Sequence, residues 1–256
     1  MEMTPEELHN IYRAENEFWW YQGMRAITSA LVDPLFQSRG GVGLDAGCGT
    51  GFNAQEFEKR HGLRMVGVDF APLAILYGRQ RNFSRSMVAS VTELPFPGES
   101  FDLVTSFDVL SHLPRGEEQR ALGEFARVLR PGGWVVLRVP AFRALRSRHS
   151  QFIQEQQRFV ISQFLPLLAK LNLRVPYIGY INSLLSPVAL LKFRIWEPLT
   201  GARPRSGVDT MPPPWLNRLL RRVLLCEAAL IRRGCRFLFG QSLIVVAQKP
   251  ASSHNI

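Results

Sequence analysis

The chain has 256 residues, 46% hydrophobic and 20% charged, with a net charge of +10. That size and composition allow one large domain with a real core and exclude a disordered tail. Three scattered cysteines (Cys48, Cys226, Cys235) exclude a disulfide framework or a cysteine metal cage, and the polar opening MEMTPEEL carries no secretory signal pattern, so a cytoplasmic, reducing setting is expected.

Residues 5–31 place apolar side chains three and four apart and predict a helix. VGLDA (42–46) predicts a buried strand that runs into GCGTG, with a helix from Asn53 to His61 after it. MVGVDF (65–70) predicts a second strand, followed by a helix from Pro72 to about Arg79; SMVAS (86–90) predicts a third. FDLVTSFDVL (101–110) is the fourth, and a helix over Glu117–Leu129 ends at the breaker RPGG before a fifth strand, WVVLRVP (134–140). Beyond Pro140, residues 151–172 predict helix, LRVPYIGY (173–180) a sixth strand and SLIVVAQK (242–249) the last.

Strand and helix in alternation, with near-continuous Val/Leu/Ile runs, predict an α/β fold. We expect a Rossmann-like, doubly wound, mostly parallel seven-stranded sheet with helices on both faces. The expected division of this single domain, 1–256, is N-terminal cap helices over 1–38, a core over 39–140, and an apolar, basic insertion over 181–240 between the last two strands. A basic amphipathic helix near 215–233 belongs to that insertion.

The charge is divided unevenly. Residues 1–140 hold 14 Lys+Arg against 17 Asp+Glu, whereas 141–256 hold 17 against 4. A basic C-terminal half suits an anionic partner (substrate, lipid surface or nucleic acid) or serves only as a solvated face.

The loop GLDAGCGTGFNA (43–54) carries the chemistry. A dinucleotide fingerprint starting at Gly47 requires glycine at position 52, where Phe52 stands. The acid Asp45, two residues before Gly47, would repel a pyrophosphate by roughly 1 kcal/mol or more even in water. It suits instead a ligand with an ammonium group and no phosphate, which S-adenosyl-L-methionine is. Asp69 ends the next strand, where a carboxylate can accept bonds from two ribose hydroxyls.

With LDAGCGTG, VGVDFAP, LPFPGESFDLV and RVLRPGGWVVL in place over about 40–140, the chain resembles the class I S-adenosylmethionine-dependent methyltransferases, in the type 11 group similar to ubiquinone-pathway enzymes of small molecules. The resemblance implies a methyltransferase (EC 2.1.1 class) that leaves S-adenosyl-L-homocysteine as product. By position it implies that Asp45, Ala46, Gly47 and Gly49 surround the methionine part, Asp69 the ribose and Phe70 the adenine, with Phe107 near the methionine portion. The aspartate that relatives place before the LPF run is Ser90 here, so the resemblance implies that the Ser90 hydroxyl accepts from the adenine amino group and that the Val91 N–H takes part in adenine recognition. ENEFWWYQGMR (15–25) resembles a subgroup with a paired-tryptophan cap helix: Trp19, Trp20 and Tyr21 would close over the sulfonium, at about 0.5–2 kcal/mol per aromatic face, and Arg25 would reach the cofactor carboxylate.

Methyl transfer is an in-line displacement that needs alignment and exclusion of water, and a base only where the acceptor is protonated. SFDVLSHL offers His112 as that base, with Asp108 beside it. A metal-using branch of the ubiquinone-related enzymes has acids next to this histidine; Ser111 stands there, so no metal is expected. Cys48 reads as a small residue, not a nucleophile. Specificity falls to 141–240, whose arginines suit an anionic acceptor and whose 17 uncharged residues, 175–191, read as a strand and an apolar helix that suit a lipid-like one or peripheral contact with a membrane. Two alternatives stay open: a nucleic-acid methyltransferase, though FDVL replaces the N-P-P-Y-like string of base-modifying relatives, and a relative that binds the cofactor without transferring methyl.

Overall fold

The computed structural model describes residues 4–36, 40–201 and 203–251. The outer ends of the expected division, at 1–3, 37–39 and 252–256, lie outside the described residues, as does Ala202 of the insertion.

Five strands run parallel: β1 (Val42–Ala46), β2 (Arg64–Asp69), β3 (Ser86–Val88), β4 (Phe101–Phe107) and β5 (Leu129–Pro140). β6 (Arg174–Ile181) and β7 (Ser242–Gln248) complete a seven-stranded sheet of order β3-β2-β1-β4-β5-β7-β6, in which β7 is antiparallel to both β5 and β6. The central strands are buried on both faces, which is why Leu44, Val104 and Val136 are fully enclosed and why no polar alternation marked them. The chain winds outward from β1 to β3, then restarts at β4 on the other side of β1. That reversal leaves a crevice at the C-terminal ends of β1 and β4.

The crossover helices are α3 (Phe52–His61), α4 (Pro72–Gln80) and α5 (Glu117–Val128), all at the expected places. Two stretches expected as single helices are broken. Residues 5–31 form α1 (Pro5–Ala14) and α2 (Trp19–Val32), because the intervening Glu15 side chain turns inward to the glycine loop and Phe18 is extended. Residues 151–172 form the end of α6 (Arg148–Phe152) and then α7 (Ile161–Lys170); between them Gln154 takes a positive φ of 54° and Phe159 bridges to Ala141. β5 starts at Leu129, five residues before the expected 134, with Gly132 at φ 82° and a register irregularity against Phe101–Leu103.

Asp45 corrects an expectation. It was assigned to the ligand side of the loop, but it is 2% exposed and its Oδ1 accepts a 2.7 Å bond from Thr105 Oγ1, its register partner on β4. Ala46 is fully buried as well. Both side chains are enclosed by the sheet and its flanking helices. Burial, opposed by the Thr105 bond, raises the Asp45 carboxyl to about 7.

Residues 182–241 lie between β6 and β7 and contain α8 (Ser186–Leu191), a π-turn (Lys192–Trp196), α9 (Glu197–Thr200) and the long α10 (Pro214–Arg232). Apolar positions of α10 at spacings of four and three (Leu224, Ala228, Ile231) pack on Met24 and Ile27 of α2. The Asn217 side chain accepts from Trp19 N at 2.9 Å and donates to the Glu17 carbonyl. Glu227, fully buried in α10, accepts from the backbone N–H groups of Ser183 and Leu184 at 2.8 and 3.0 Å, which fixes the start of the insertion. Among the described residues no helix is long and apolar enough to cross a membrane.

Two measurements check this packing. A Cβ at Gly23 of α2 would stand 2.2 Å from Leu224 Cδ1, so Gly23→Ala should lower unfolding free energy by about 1–3 kcal/mol in urea titration. For Asp45, the fold keeps its proton up to about pH 7 whereas the unfolded chain releases it near the ordinary aspartate value of 3.8. The folded state therefore binds more protons in that window, and this group's contribution makes stability fall as pH rises through it. Asp45→Asn should gain stability relative to wild type between about pH 4 and 7, and a level difference would mean that Asp45 is ionised in the fold.

Candidate active site

One cavity of about 890 Å³ occupies the crevice, closed on its outer side by α1, α2 and part of the insertion. Its floor is the glycine loop. A Cβ at Gly47 (φ 84°) would fall 2.1 Å from Val109 Cγ2, and one at Gly51 (φ 75°) 2.5 Å from Phe83 Cδ1, so the protein's own packing demands both glycines. Gly49 differs: its φ is 52°, yet nothing lies within 4 Å of its Cβ position. The space over Gly49 is left for something other than the protein.

The Gly49 N–H donates to Asp69 Oδ2 at 2.8 Å, and Asp69 Oδ1 accepts from Ala71 N at 2.9 Å. These bonds fix the carboxylate in place at the edge of the cavity. Phe70, 61% exposed, stands beside it with Ser90 and Val91 on the same cavity. The Ser90 hydroxyl is also engaged, 2.7 Å from Thr92 Oγ1. Of the residues assigned from sequence, Gly47, Gly49, Asp69, Phe70, Ser90, Val91, Phe107, Trp20 and Arg25 line the cavity, with Asp108 and His112; Asp45 and Ala46 do not. Cys48 is buried, and burial pushes its thiol well up, as suits a packing residue.

The outer wall comes from the N-terminal helices. Trp19, Trp20 and Tyr21 all reach the cavity. Glu15 was not singled out from the sequence, yet it is the acid that stands on the glycine loop: it accepts from Thr50 Oγ1 and pairs with Arg81 at 2.6 Å. Burial raises its carboxyl to about 7. Arg25 donates to the Glu15 carbonyl at 2.8 Å and stacks on Phe52, 4.5 Å from the ring centre. Its position near the floor is therefore set by backbone bonds.

Arg138 was also missed. It projects from β5 between Trp20 and Phe107, 5.0 Å from each ring centre, and holds Asp108 Oδ2 by two bonds of 2.9 and 2.7 Å. A charged residue inside the apolar run WVVLRVP was the available signal, since arginine is almost never buried without a partner. This pair sets the position of Asp108 on the cavity wall. Asp108 is thus the ion-pair partner of Arg138.

His112 follows β4 on a short 3₁₀ turn (Leu110–His112). Burial lowers its pKa, while a bond to the Ile153 backbone works against that. A neutral imidazole with one nitrogen on a backbone carbonyl leaves the other as an acceptor.

The far end of the cavity is built from parts outside the core motifs. Glu7 of α1 is 1% exposed, its Oε2 has no partner among the described residues, and burial raises its carboxyl despite a bond from Ser206. His149 Nδ1 accepts from Gly207 N at 2.9 Å, so Nε2 carries the proton, 3.9 Å from Glu7 Oε1. Burial drops the His149 pKa to about 4. Nearby, Arg158 holds Glu155 through two bonds of 2.6 and 3.1 Å. Among the described residues no cluster of His, Cys, Asp and Glu could hold a metal ion.

Comparisons with known proteins agree with this geometry. The family described as Methyltransferase domain, of type 11, matches residues 44–137. A malonyl-[acyl-carrier protein] O-methyltransferase from Serratia marcescens is 29% identical over 59% of this chain and 57% of its own length. A human protein named "Probable tRNA methyltransferase 9B" is 29% identical over 58% of this chain and 32% of its own. The chain thus spans less than two thirds of the length of these relatives. A Streptomyces coelicolor geranyl diphosphate C-methyltransferase, solved with Mg²⁺, geranyl diphosphate and S-adenosyl-L-homocysteine, shares the fold at a TM-score of 0.57 and 16% identity, over 87% of this chain and 76% of that one. Residues 44–137 thus match a methyltransferase domain of type 11, and the strand order around them agrees with the class I S-adenosylmethionine-dependent methyltransferase fold that the sequence resembles.

Proposed function

We propose that the chain transfers a methyl group from S-adenosyl-L-methionine to a small-molecule acceptor. The observation that carries this reading is one continuous cavity, which joins the glycine loop and Asp69 on one side to His112 and a polar end on the other. The residues present fit the cofactor: the open space over Gly49 admits a ligand against the backbone, and Asp69 and Phe70 offer a carboxylate and an exposed ring beside it. Bound there, the cofactor supplies an electrophilic methyl group on a sulfonium.

The chain's own residues do the rest. Asp69 accepts from ribose hydroxyls, Ser90 and the Val91 N–H meet the adenine edge, and Arg25 meets the cofactor's carboxylate. Phe107 and Trp20, both stacked on Arg138, keep water from the methionine portion. His112 accepts a proton from a hydroxyl or another protonated acceptor atom, and Asp108 serves by holding Arg138. The insertion, 181–240, closes the cavity as a lid and sets specificity: Lys192, Phe193 and Glu197 belong to the wall. Its composition favours a lipid-like or anionic acceptor.

A nucleic-acid acceptor draws support from the name of the human relative and from the basic insertion. The cavity disfavours it, because a pocket walled by α1, α2 and the insertion suits a small molecule better than a strand.

The direct test is transfer of a labelled methyl group from S-adenosyl-L-methionine into fractions of a cell extract. Label in a small-molecule or lipid fraction supports the proposal; label only in RNA favours the rival, and binding without transfer of label to any fraction favours a non-methylating relative. Asp69→Ala should weaken S-adenosyl-L-homocysteine binding by about 1–3 kcal/mol in calorimetry, through the loss of charge-assisted bonds. His112→Gln should leave that affinity unchanged and slow label transfer by about 10²–10⁴-fold; equal rates would remove His112 as the base.

A further inference from the structure

We propose that this chain docks on an anionic lipid surface through the outer face of residues 184–199. α8, the π-turn and α9 form one unbroken rod over Ser186–Thr200, since the residues at both junctions, Lys192 and Trp196, stay in the helical region. Its inner face is accounted for. Ser186 and Ala189 are buried; Lys192, Phe193 and Glu197 line the cavity, and the Glu197 carboxylate accepts from Arg148 N at 2.9 Å.

The outer face has no such account. Val188, Leu191, Ile195 and Leu199 recur at spacings of three, four and four, with Trp196 beside them, and their exposures run from 53% to 78%. Leu184 extends the stripe by one turn at 41%. Five large apolar side chains on one side of a short helix form a patch that water disfavours. Nothing among the described residues covers it.

Charge identifies the occupant. The insertion, 182–241, carries ten Lys and Arg against three acids, Glu197, Asp209 and Glu227. Glu227 is buried and Glu197 is bound inward. Arg194, exposed, flanks the apolar stripe. An apolar face with an interfacial tryptophan and flanking cations is the pattern of a helix that lies in the headgroup region of an anionic bilayer. A second copy of the chain would set the same cations against one another. Because the other side of this helix is cavity wall, docking holds that wall against the bilayer. An acceptor drawn from the lipid phase then has a short path inward, a consequence that rests on the methyl-transfer reading. The docking itself does not.

The test is flotation of the full chain with phosphatidylcholine vesicles, with and without phosphatidylglycerol. The chain should float only with phosphatidylglycerol present, and less so as salt is raised. Leu191→Ser, Ile195→Ser and Leu199→Ser together should reduce flotation about tenfold or more. Thermal unfolding and S-adenosyl-L-homocysteine binding should stay unchanged, because these side chains point away from the cavity and the core. Should the triple variant not fold, Trp196→Phe takes its place. It should remove most of the blue shift of tryptophan emission on the same vesicles. No flotation of the wild type, wild-type flotation of the folded triple variant, or a dimer that the triple variant converts to monomer each overturns the proposal. Failure to float with S-adenosyl-L-homocysteine binding intact refutes docking alone, whereas loss of that binding bears on the methyl-transfer reading.

Discussion

Everything in the site depends on a stretch of backbone, 47–51, that cannot carry side chains where Val109 and Phe83 press on it. The turn satisfies itself first. Gly47 and Cys48 both donate to the Val68 carbonyl at 2.8 Å, and Gly49 donates to Asp69. These bonds tie the end of β1 to the end of β2, so the residues that would hold a ribose and the loop below them move as one body. The left-handed conformations that this requires cost little at glycine and about 1–3 kcal/mol at other residues. Gly49 alone has open space in front of it, and that separates a packing constraint from a binding surface.

On this floor the N-terminal helices are fastened by charge. Glu15 binds Thr50 and Arg81, Arg81 stacks on Tyr12 and Phe52, and Arg25 bonds the carbonyl of Glu15. A carboxyl so buried, raised to about 7, stays at low cost only while those partners surround it. α10 then packs on α2 from outside. The insertion and the N-terminus, distant in sequence, are therefore neighbours in the wall of one cavity, and their placement depends on the same buried contacts.

How much could be read in advance varied with the range of the forces. The strands and crossover helices of 42–140 were recoverable because each is a local pattern: an apolar run, a glycine turn, a proline or glycine stop. The acid before the glycines was read correctly as residue and wrongly as surface. Asp45 pairs with Thr105 across the sheet, and no spacing within 43–54 reveals which side of β1 faces the crevice. The breaks at Glu15–Phe18 and after Phe152 escaped for a related reason. Neither holds a glycine or proline; the first goes with the Glu15 side chain bound at Thr50 and the second with a backbone bridge from Phe159 to Ala141.

By itself the sequence determined the parallel sheet, the bare loop at its switch point, the acid that ends β2 and the family that these motifs resemble, since all are written within short windows. Tertiary structure alone decided which acids face the cavity, that Arg138 pairs with Asp108, and that Glu7, His149 and the helix 186–200 line its far end. Those outcomes follow from burial and charge pairing between segments separated by tens to hundreds of residues, and a linear pattern holds no record of such distances.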